Sequence, residues 1–285
     1  MGLPNEPWPA GFDRRRITLA PGALHVIVGG EGPPLILVHG LGGSGEDFSC
    51  LALMLADRFT LIIPDLFGFG RSAKPDAPYT SAWFCQTLAD LARELGLSRA
   101  AWLGHSLGGL LVLRLGASHP ELASKVAAVC PAGGHNRISP ERRLLLWLLA
   151  RPSDRLRLWH PVMLSLAMHW IFENPDLPAA RRLLGRLRRQ WSGLERPLLE
   201  RSFIRAARDL LQNPVWPLLG KMNAPALLVA GTKDRVIPQR EIDRLLSRLA
   251  QGRLCLLKGD HMLPLSRPSE LAQAILNFFG QLTGC

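Results

Sequence analysis

Short, continuous apolar runs alternate with amphipathic segments along most of this chain, and this alternation constrains the fold more than any other feature. A run with no polar face suits a strand that is buried on both sides of a parallel sheet. Between the runs, apolar residues recur at three-to-four spacing, which is typical of helices packed on such a sheet. The order strand, helix, strand, helix predicts an α/β fold.

The predicted elements give a mostly parallel, eight-stranded sheet flanked by helices, whose first two strands form a hairpin at Pro21-Gly22. The predicted strands are Arg16–Leu19, Leu24–Val28, Leu35–Val38, Leu61–Ile63, Ala100–Leu103, Val126–Val129, Ala226–Ala230 and Arg253–Leu257. The predicted helices outside the middle segment are Asp47–Ala56, Ala82–Leu95, Leu107–Ala117, Glu241–Leu249 and Ser269–Phe279.

The middle of the chain breaks this rhythm, because residues 131–215 contain no strand candidate. We predict that they form a helical lid inserted after the sixth strand, over a core made of residues 1–130 and 216–285. Aromatic density in the segment fits a hydrophobic pocket wall or the packing of a small helical subdomain equally well. The helical stretches are Leu144–Leu149, Leu156–Phe172, Ala179–Trp191 and Pro197–Leu211, with a start at Ser139-Pro140, and the tryptophans in or bordering the segment are Trp147, Trp159, Trp170, Trp191 and Trp216.

Positive charge is concentrated in the predicted lid. The chain has a formal net charge of +11, and residues 131–215 hold 15 Arg, no Lys and 7 acidic residues, a net charge of +8. A solvated helical surface explains such a run, and so does peripheral contact with an anionic lipid surface or attraction to acidic substrates. No zinc-finger, RNA-binding or helix-turn-helix signature accompanies the charge, so we expect no nucleic-acid partner.

The cysteine content and the first residues of the chain indicate in which cellular compartment the protein is expected. Five scattered cysteines form neither a disulfide framework nor a metal-binding pattern. The first residues carry prolines and an acid where a signal peptide needs an apolar stretch, and the longest apolar run, Val162–Phe172, is too short to span a bilayer. We therefore expect a cytoplasmic protein that needs no metal.

The candidate nucleophile is Ser106, in the sequence Gly104-His105-Ser106-Leu107-Gly108-Gly109. The motif follows an apolar strand and opens a helix, which is the setting of a nucleophile elbow. Glycine is needed two residues before and two after the serine, because neighbouring backbone presses on both positions. The motif alone is weak, since chance gives it in roughly one such chain in seven.

Candidate partners for Ser106 lie where two later strands end. A serine hydroxyl needs a base to take its proton, and the base needs an orienting carboxylate. Asp234 follows the strand Ala226–Ala230, and His261 follows the strand Arg253–Leu257. Parallel strands end at one edge of a sheet, so the order serine, acid, histidine predicts a Ser106–His261–Asp234 triad.

Asp260 is a competing candidate for the acid because it is next to His261 in the sequence. Adjacent side chains normally diverge, so we expect Asp234 to be the partner of the histidine.

Hydrogen-bond donors for a developing oxyanion are expected from two backbone N–H groups. Leu107 follows the nucleophile at a helix N-terminus. The second donor is expected in the glycine-rich loop His39–Gly45, at Leu41, with Gly40 against the substrate. The same loop could cradle a phosphate, but it lacks the Gly-Lys-Ser/Thr ending of a phosphate loop.

Taken together, these pieces resemble the α/β-hydrolase fold family, in its lidded esterase- and lipase-like branch. The matching segments span nearly the whole chain and are Gly32-Pro33-Pro34, His39-Gly40, Asp65–Ser72, Gly104–Gly109, Asp234 and His261. Asp65–Ser72 resembles the family's Asp-x-x-Gly-x-Gly-x-Ser turn, with Phe67 in place of a common proline. In the family, the lid sets substrate choice.

The resemblance implies a serine hydrolase that cleaves a small or lipid-like carboxylic ester without a cofactor, through an acyl-enzyme on Ser106. Relatives that displace halide or open epoxides use aspartate, so the serine argues against both reactions. The alternatives on the same fold are carbon–carbon bond hydrolysis, thioester hydrolysis and perhydrolysis. A fourth alternative is a receptor that binds its ligand without turnover.

Overall fold

A computed structural model of the chain describes Trp8, residues 11–135 and residues 168–280. Several sequence predictions fall outside these residues. They are the helix start at Ser139, the helix Leu144–Leu149, most of the helix Leu156–Phe172, Trp147 and Trp159.

The described strands form one sheet of eight, in the order β1-β2-β4-β3-β5-β6-β7-β8. β1 pairs antiparallel with β2 and β2 with β4, and every other pairing is parallel. The strands are β1 Asp13–Leu19, β2 Gly22–Gly29, β3 Pro34–Val38, β4 Thr60–Pro64, β5 Ala100–His105, β6 Ala123–Val129, β7 Ala226–Gly231 and β8 Gly252–Leu257. The predicted fold class is therefore confirmed.

Besides the helical residues 168–171, the described residues contain eight α-helices. They are α1 Ser49–Leu55, α2 Ser81–Glu94, α3 Leu107–Ser118, α4 Pro178–Ser192, α5 Arg196–Gln212, α6 Gln239–Leu246, α7 Leu263–Ser266 and α8 Pro268–Phe279. The described residues also contain two short 3-10 helices, Gly45–Phe48 and Trp216–Lys221. None of the helices in these parts of the chain is long and apolar enough to cross a bilayer.

Two apolar cores lie on opposite faces of the sheet, and each buried strand contributes to both. In β3, Leu35 and Leu37 belong to one core while Ile36 and Val38 belong to the other. Side chains alternate across a strand, so a strand covered on both faces needs apolar residues at every position. This is why the central strands read as continuous apolar runs.

Helices α4 and α5, here called the cover helices, are attached to the rest of the fold by polar contacts. The Asp209 carboxylate accepts a hydrogen bond from the Ser81 N–H at 2.6 Å, at the start of α2. Arg205 pairs with Asp76 at 2.5 Å, and Arg201 donates to the carbonyl oxygen of Lys74 at 3.1 Å. These contacts fix α5 beside the loop that precedes α2.

The turn from β5 into α3 is the tightest point of the backbone. Ser106 has a φ of 55° and a ψ of −112°, a region that L residues rarely adopt. A Cβ on Gly104 would overlap the carbonyl oxygen of Gly108, and a Cβ on Gly108 would overlap that of Val38. The two glycines therefore let α3 begin directly against the end of β3.

Replacing Gly108 by alanine is expected to lower the free energy of unfolding by about 1–3 kcal/mol or more, because the added methyl group meets rigid backbone. Gly220→Ala is the control, since a Cβ there has no neighbour within 4 Å, and it should be neutral or stabilising. Urea unfolding of both variants measures the difference. Equal losses would contradict a specific backbone contact at Gly108.

Candidate active site

Ser106, His261 and Asp234 are joined by side-chain hydrogen bonds. His261 Nε2 lies 3.1 Å from Ser106 Oγ, and His261 Nδ1 lies 2.9 Å from Asp234 Oδ2. The serine follows β5, the aspartate follows β7 and the histidine follows β8. Because these strands run parallel in one sheet, their carboxyl ends meet at one edge and bring the three side chains together.

Asp234 is held as a carboxylate in a fixed orientation. Its Oδ1 accepts hydrogen bonds from the N–H groups of Val236 at 2.7 Å and Ile237 at 2.9 Å, which leaves Oδ2 for His261. Burial alone would raise the pKa of this carboxyl, but the hydrogen bond and charge of His261 and the two N–H groups outweigh burial and lower the pKa. The ionised carboxylate therefore orients the imidazole and favours a proton on its Nδ1.

Asp260, the competing acid, has different partners. Its Oδ1 accepts hydrogen bonds from the Met262 N–H at 2.9 Å and the Ser266 hydroxyl at 2.7 Å. Its Oδ2 accepts the N–H of Glu173 at 2.8 Å. The carboxylate thus fixes the backbone around His261, and the imidazole itself is hydrogen-bonded to Asp234.

The glycine-rich loop after β3 is anchored by a buried histidine. His39 Nε2 accepts the N–H of Leu66 at 2.9 Å, so His39 Nδ1 carries the proton that is donated to the Gly40 carbonyl oxygen at 2.8 Å. Burial lowers the pKa of His39, which keeps the ring neutral for both contacts. Leu41 and Gly40 line the space beside Ser106, and Leu107 is the first residue of α3, where N–H groups lack helical partners.

An apolar cavity of about 420 Å³, here called the serine cavity, opens at Ser106 between the sheet edge and the cover helices. Its size lies within the range of small-molecule sites. Of the predicted aromatic wall, Trp170 lines the cavity, whereas Trp191 packs against Phe203 with ring centroids 5.7 Å apart. The apolar lining includes Leu41, Ala132, Ile171, Leu183, Leu187, Phe203, Ala207, Leu210, Leu211, Val236, Ile237 and Met262.

One group of side chains in the described residues has the spacing of a metal site, and it overlaps the catalytic candidates. Cys130, Asp234 and His261 place ligand atoms within 4.8 Å of one another. Burial and the charge of Asp234 raise the pKa of the Cys130 thiol well above its ordinary value, and Asp234 Oδ2 is already hydrogen-bonded to His261 Nδ1 at 2.9 Å. The set is better suited to orienting a histidine than to holding an ion.

The model of the alpha/beta hydrolase fold matches residues 33–268 of this sequence, a stretch that contains the elbow, the acid and the histidine. The chain belongs to the alpha/beta hydrolase family. Residues 33–268 also contain both cover helices, so the family match includes the part of the chain that closes the serine cavity.

Individual relatives are hydrolases of differing specificity. The pimeloyl-[acyl-carrier protein] methyl ester esterase of Stenotrophomonas maltophilia is 29% identical over 272 residues, covering 91% of this chain and 98% of the relative. The 2-(acetamidomethylene)succinate hydrolase of Mesorhizobium japonicum is 26% identical, covering 94% and 95%. A crystal structure of a bacterial membrane phospholipase A, described as a virulence factor, superposes with a TM-score of 0.81 at 26% identity, covering 97% and 88%.

His105 is a buried member of this hydrolase's site that the sequence reasoning passed over, although it lies inside the elbow motif. Its Nε2 donates to the His261 carbonyl oxygen at 2.8 Å. This hydrogen bond connects the nucleophile elbow to the loop after β8 that contains His261. Its Nδ1 is buried and has no hydrogen-bond partner among the described residues. Burial and the nearby His261 lower the pKa of His105 to about 4.

The neutral His105 ring makes the folded state sensitive to acid. Its pKa is about 4 when folded and about 6.5 when unfolded, so the unfolded chain binds the proton more tightly and stability falls as the pH drops from about 6.5 to about 4, by up to about 3 kcal/mol. His105→Gln keeps a donor but cannot titrate, and it should lose less stability between pH 7 and pH 4.5. Urea unfolding at both pH values measures this, with His119→Gln as the control. If His105→Gln loses as much stability as the wild-type protein between pH 7 and pH 4.5, His105 is not the source of the acid sensitivity.

Proposed function

We propose that this protein is a serine hydrolase that cleaves carboxylic esters through an acyl-enzyme. The observation that carries the proposal is the hydrogen-bonded series from Ser106 through His261 to Asp234 at the mouth of an apolar cavity. This arrangement matches the geometric requirement for an activated serine, whose base is itself oriented by a carboxylate.

In the first half of the reaction, Ser106 Oγ forms a bond to the carbonyl carbon of the ester while its proton moves to His261 Nε2. The carbonyl electron pair moves onto oxygen, and the resulting oxyanion is stabilised by the N–H groups of Leu41 and Leu107. The carboxylate of Asp234 stabilises the imidazolium. The oxyanion then collapses, His261 gives its proton to the leaving alcohol, and the acyl group stays on Ser106.

In the second half, water replaces the alcohol. His261 takes a proton from water as its oxygen attacks the acyl carbon, and the second oxyanion forms at the same two N–H groups. When this intermediate collapses, Ser106 leaves with the proton from His261, and the carboxylic acid is released.

An apolar acyl group is the substrate feature that the serine cavity supports best. Leu183 and Leu187 from α4 and Phe203 from α5 are among the apolar residues that line the cavity. Two relatives act on esters by name, the methyl ester esterase and the phospholipase A. We propose that the cover helices act as a lid that selects the acyl chain by length.

Ser106→Ala should lower kcat for p-nitrophenyl esters by at least about 10⁴-fold, because no other group takes over the acyl transfer. The midpoint of urea unfolding should change little. A fluorophosphonate should add to the wild-type protein at one site, and intact-mass spectrometry of the variant should show no adduct. Full ester hydrolysis in Ser106→Ala would refute the proposal, and turnover of thioesters alone would redefine the substrate class.

Leu187→Trp is expected to shift the substrate preference toward shorter acyl chains, because the indole would fill part of the serine cavity that Leu187 lines. Each methylene that no longer fits costs about 0.8 kcal/mol, so kcat/KM should fall about fourfold per excluded carbon. A panel of p-nitrophenyl esters from acetate to decanoate measures the profile. Leu184→Trp is the control on the same helix, since Leu184, unlike Leu187, is not among the residues that line the serine cavity. Identical profiles in the two variants would contradict a lid that measures length.

A further inference from the structure

We propose that Arg186 of the cover helix α4 is a positioning residue for the oxyanion-binding loop His39–Gly45, and that it acts through Asp47. The proposal rests on the function proposed above, because it concerns the N–H group that this loop would offer to the substrate oxygen. It assigns a role to two residues that no motif contains.

The contact is a buried ion pair between the cover helix and the core. Arg186 Nη2 donates to Asp47 Oδ1, and Arg186 Nη1 lies 3.5 Å from Glu46 Oε2. The side chain of Arg186 is 11% exposed and that of Asp47 is 4% exposed. A pair this deeply buried is only weakly screened by solvent, and removing one partner leaves an uncompensated charge inside the protein.

Asp47 in turn fixes the end of the oxyanion-binding loop. Its Oδ2 accepts a hydrogen bond from the Ser44 N–H at 3.3 Å. The backbone of Gly43 passes so close that a Cβ there would overlap Asp47 Oδ2. Ser44 and Gly43 follow Leu41 by three and two residues, so the position of the Asp47 carboxylate determines where the Leu41 N–H points.

The rest of the loop is anchored independently at its two ends. His39 is held through both ring nitrogens, and the Gly45 N–H donates to Asp65 Oδ1 at 2.7 Å. Between these anchors, Gly42 has a φ of 72° and Gly43 has no side chain. Within the loop, the Gly43 N–H donates to the Gly40 carbonyl oxygen at 3.1 Å and closes a turn around Leu41. Glycine backbone is permissive, so we infer that the contact from Asp47 to Ser44 holds this turn in place against the core.

Charge gives Arg186 a second effect on the same reaction. Asp47 lines the serine cavity together with Leu41 and Ser106, so a bare carboxylate there would repel an oxyanion that forms beside Ser106. Arg186 compensates that charge. Burial alone would lower the pKa of Arg186, but the charges of Asp47 and Glu46 outweigh burial and raise the pKa, so the guanidinium stays charged.

The decisive measurement compares two inhibitors that differ in whether they form an oxyanion. Ser106 adds readily to a trifluoromethyl ketone, its proton moves to His261 and the carbonyl electron pair becomes an oxyanion. The corresponding methyl ketone remains largely unreacted. The ratio of the two inhibition constants therefore reports on the oxyanion site, whereas a change in the cavity alters both constants together.

Arg186→Met should lower kcat by about 10²-fold, the low end of the cost of losing one oxyanion donor, and should change KM by less than about threefold. Binding of the trifluoromethyl ketone should weaken by a similar factor, and binding of the methyl ketone should not change. Arg186→Lys keeps the charge and should stay within about tenfold of the wild-type kcat.

The control is Arg205→Met, which breaks the pair between α5 and Asp76 and should leave kcat and the inhibitor ratio at wild-type values. Asp47→Asn/Arg186→Met removes both charges and serves if Arg186→Met fails to fold. If Arg186→Met folds, the double variant should have a kcat about tenfold higher than that of Arg186→Met. If Arg186→Met does not fold, the double variant should still have a kcat below the wild-type value, and it should prefer the trifluoromethyl ketone over the methyl ketone less strongly than the wild-type protein does.

Three results separate the possible failures. If Arg186→Met loses stability but keeps the wild-type kcat and inhibitor ratio, the pair is only structural and the proposal is overturned. The same conclusion follows if only the double variant folds and it shows the wild-type kcat and inhibitor ratio. Equal weakening of both ketones would overturn it in favour of an altered cavity. If the wild-type protein neither hydrolyses esters nor binds the trifluoromethyl ketone, the proposed function fails, and the positioning role fails with it.

Discussion

The close approach of α3 to the end of β3 is the constraint on which the site depends. Gly104 and Gly108 allow this approach because any side chain at either position would overlap a backbone carbonyl oxygen. The approach forces Ser106 into its positive φ and sets its hydroxyl above the carboxyl edge of the sheet. Since strained backbone persists only where surrounding structure holds it, the two glycines and the buried strands on either side act as one unit.

Much of the fold could be predicted from the sequence because its strands are buried on both faces. Burial on both sides removes polar residues from Leu35–Val38 and Ala226–Ala230, so each run is visible without knowledge of its neighbours. In a parallel sheet, the end of every such run is also a position at the functional edge. The same rule therefore predicts that Ser106, Asp234 and His261 lie together at this edge.

Contacts between distant segments could not be predicted in this way. Both Asp234 and Asp260 follow strands. The Asp260 carboxylate accepts hydrogen bonds from the backbone N–H groups of Met262 and Glu173 because of the path of the loop after β8, which the sequence pattern does not show. Arg186 and Asp47 are 139 positions apart, and neither belongs to a motif. Their pairing follows from how α4 lies on the core, which depends on side-chain packing that a periodic pattern does not encode.

The arginine excess of the middle segment illustrates the same limit. Counted along the sequence, it suggests an anionic surface or substrate outside the protein. In the fold, Arg186 pairs with Asp47, and Arg205 pairs with Asp76. Arg201 donates to backbone carbonyl oxygens of the loop before α2. These arginines attach the cover helices to carboxylates and backbone carbonyl oxygens of the core. Part of the basic charge is therefore explained by contacts within the chain. The net charge of the segment therefore overstates the positive charge that faces solvent, which on α4 includes the exposed Arg182 and Arg188.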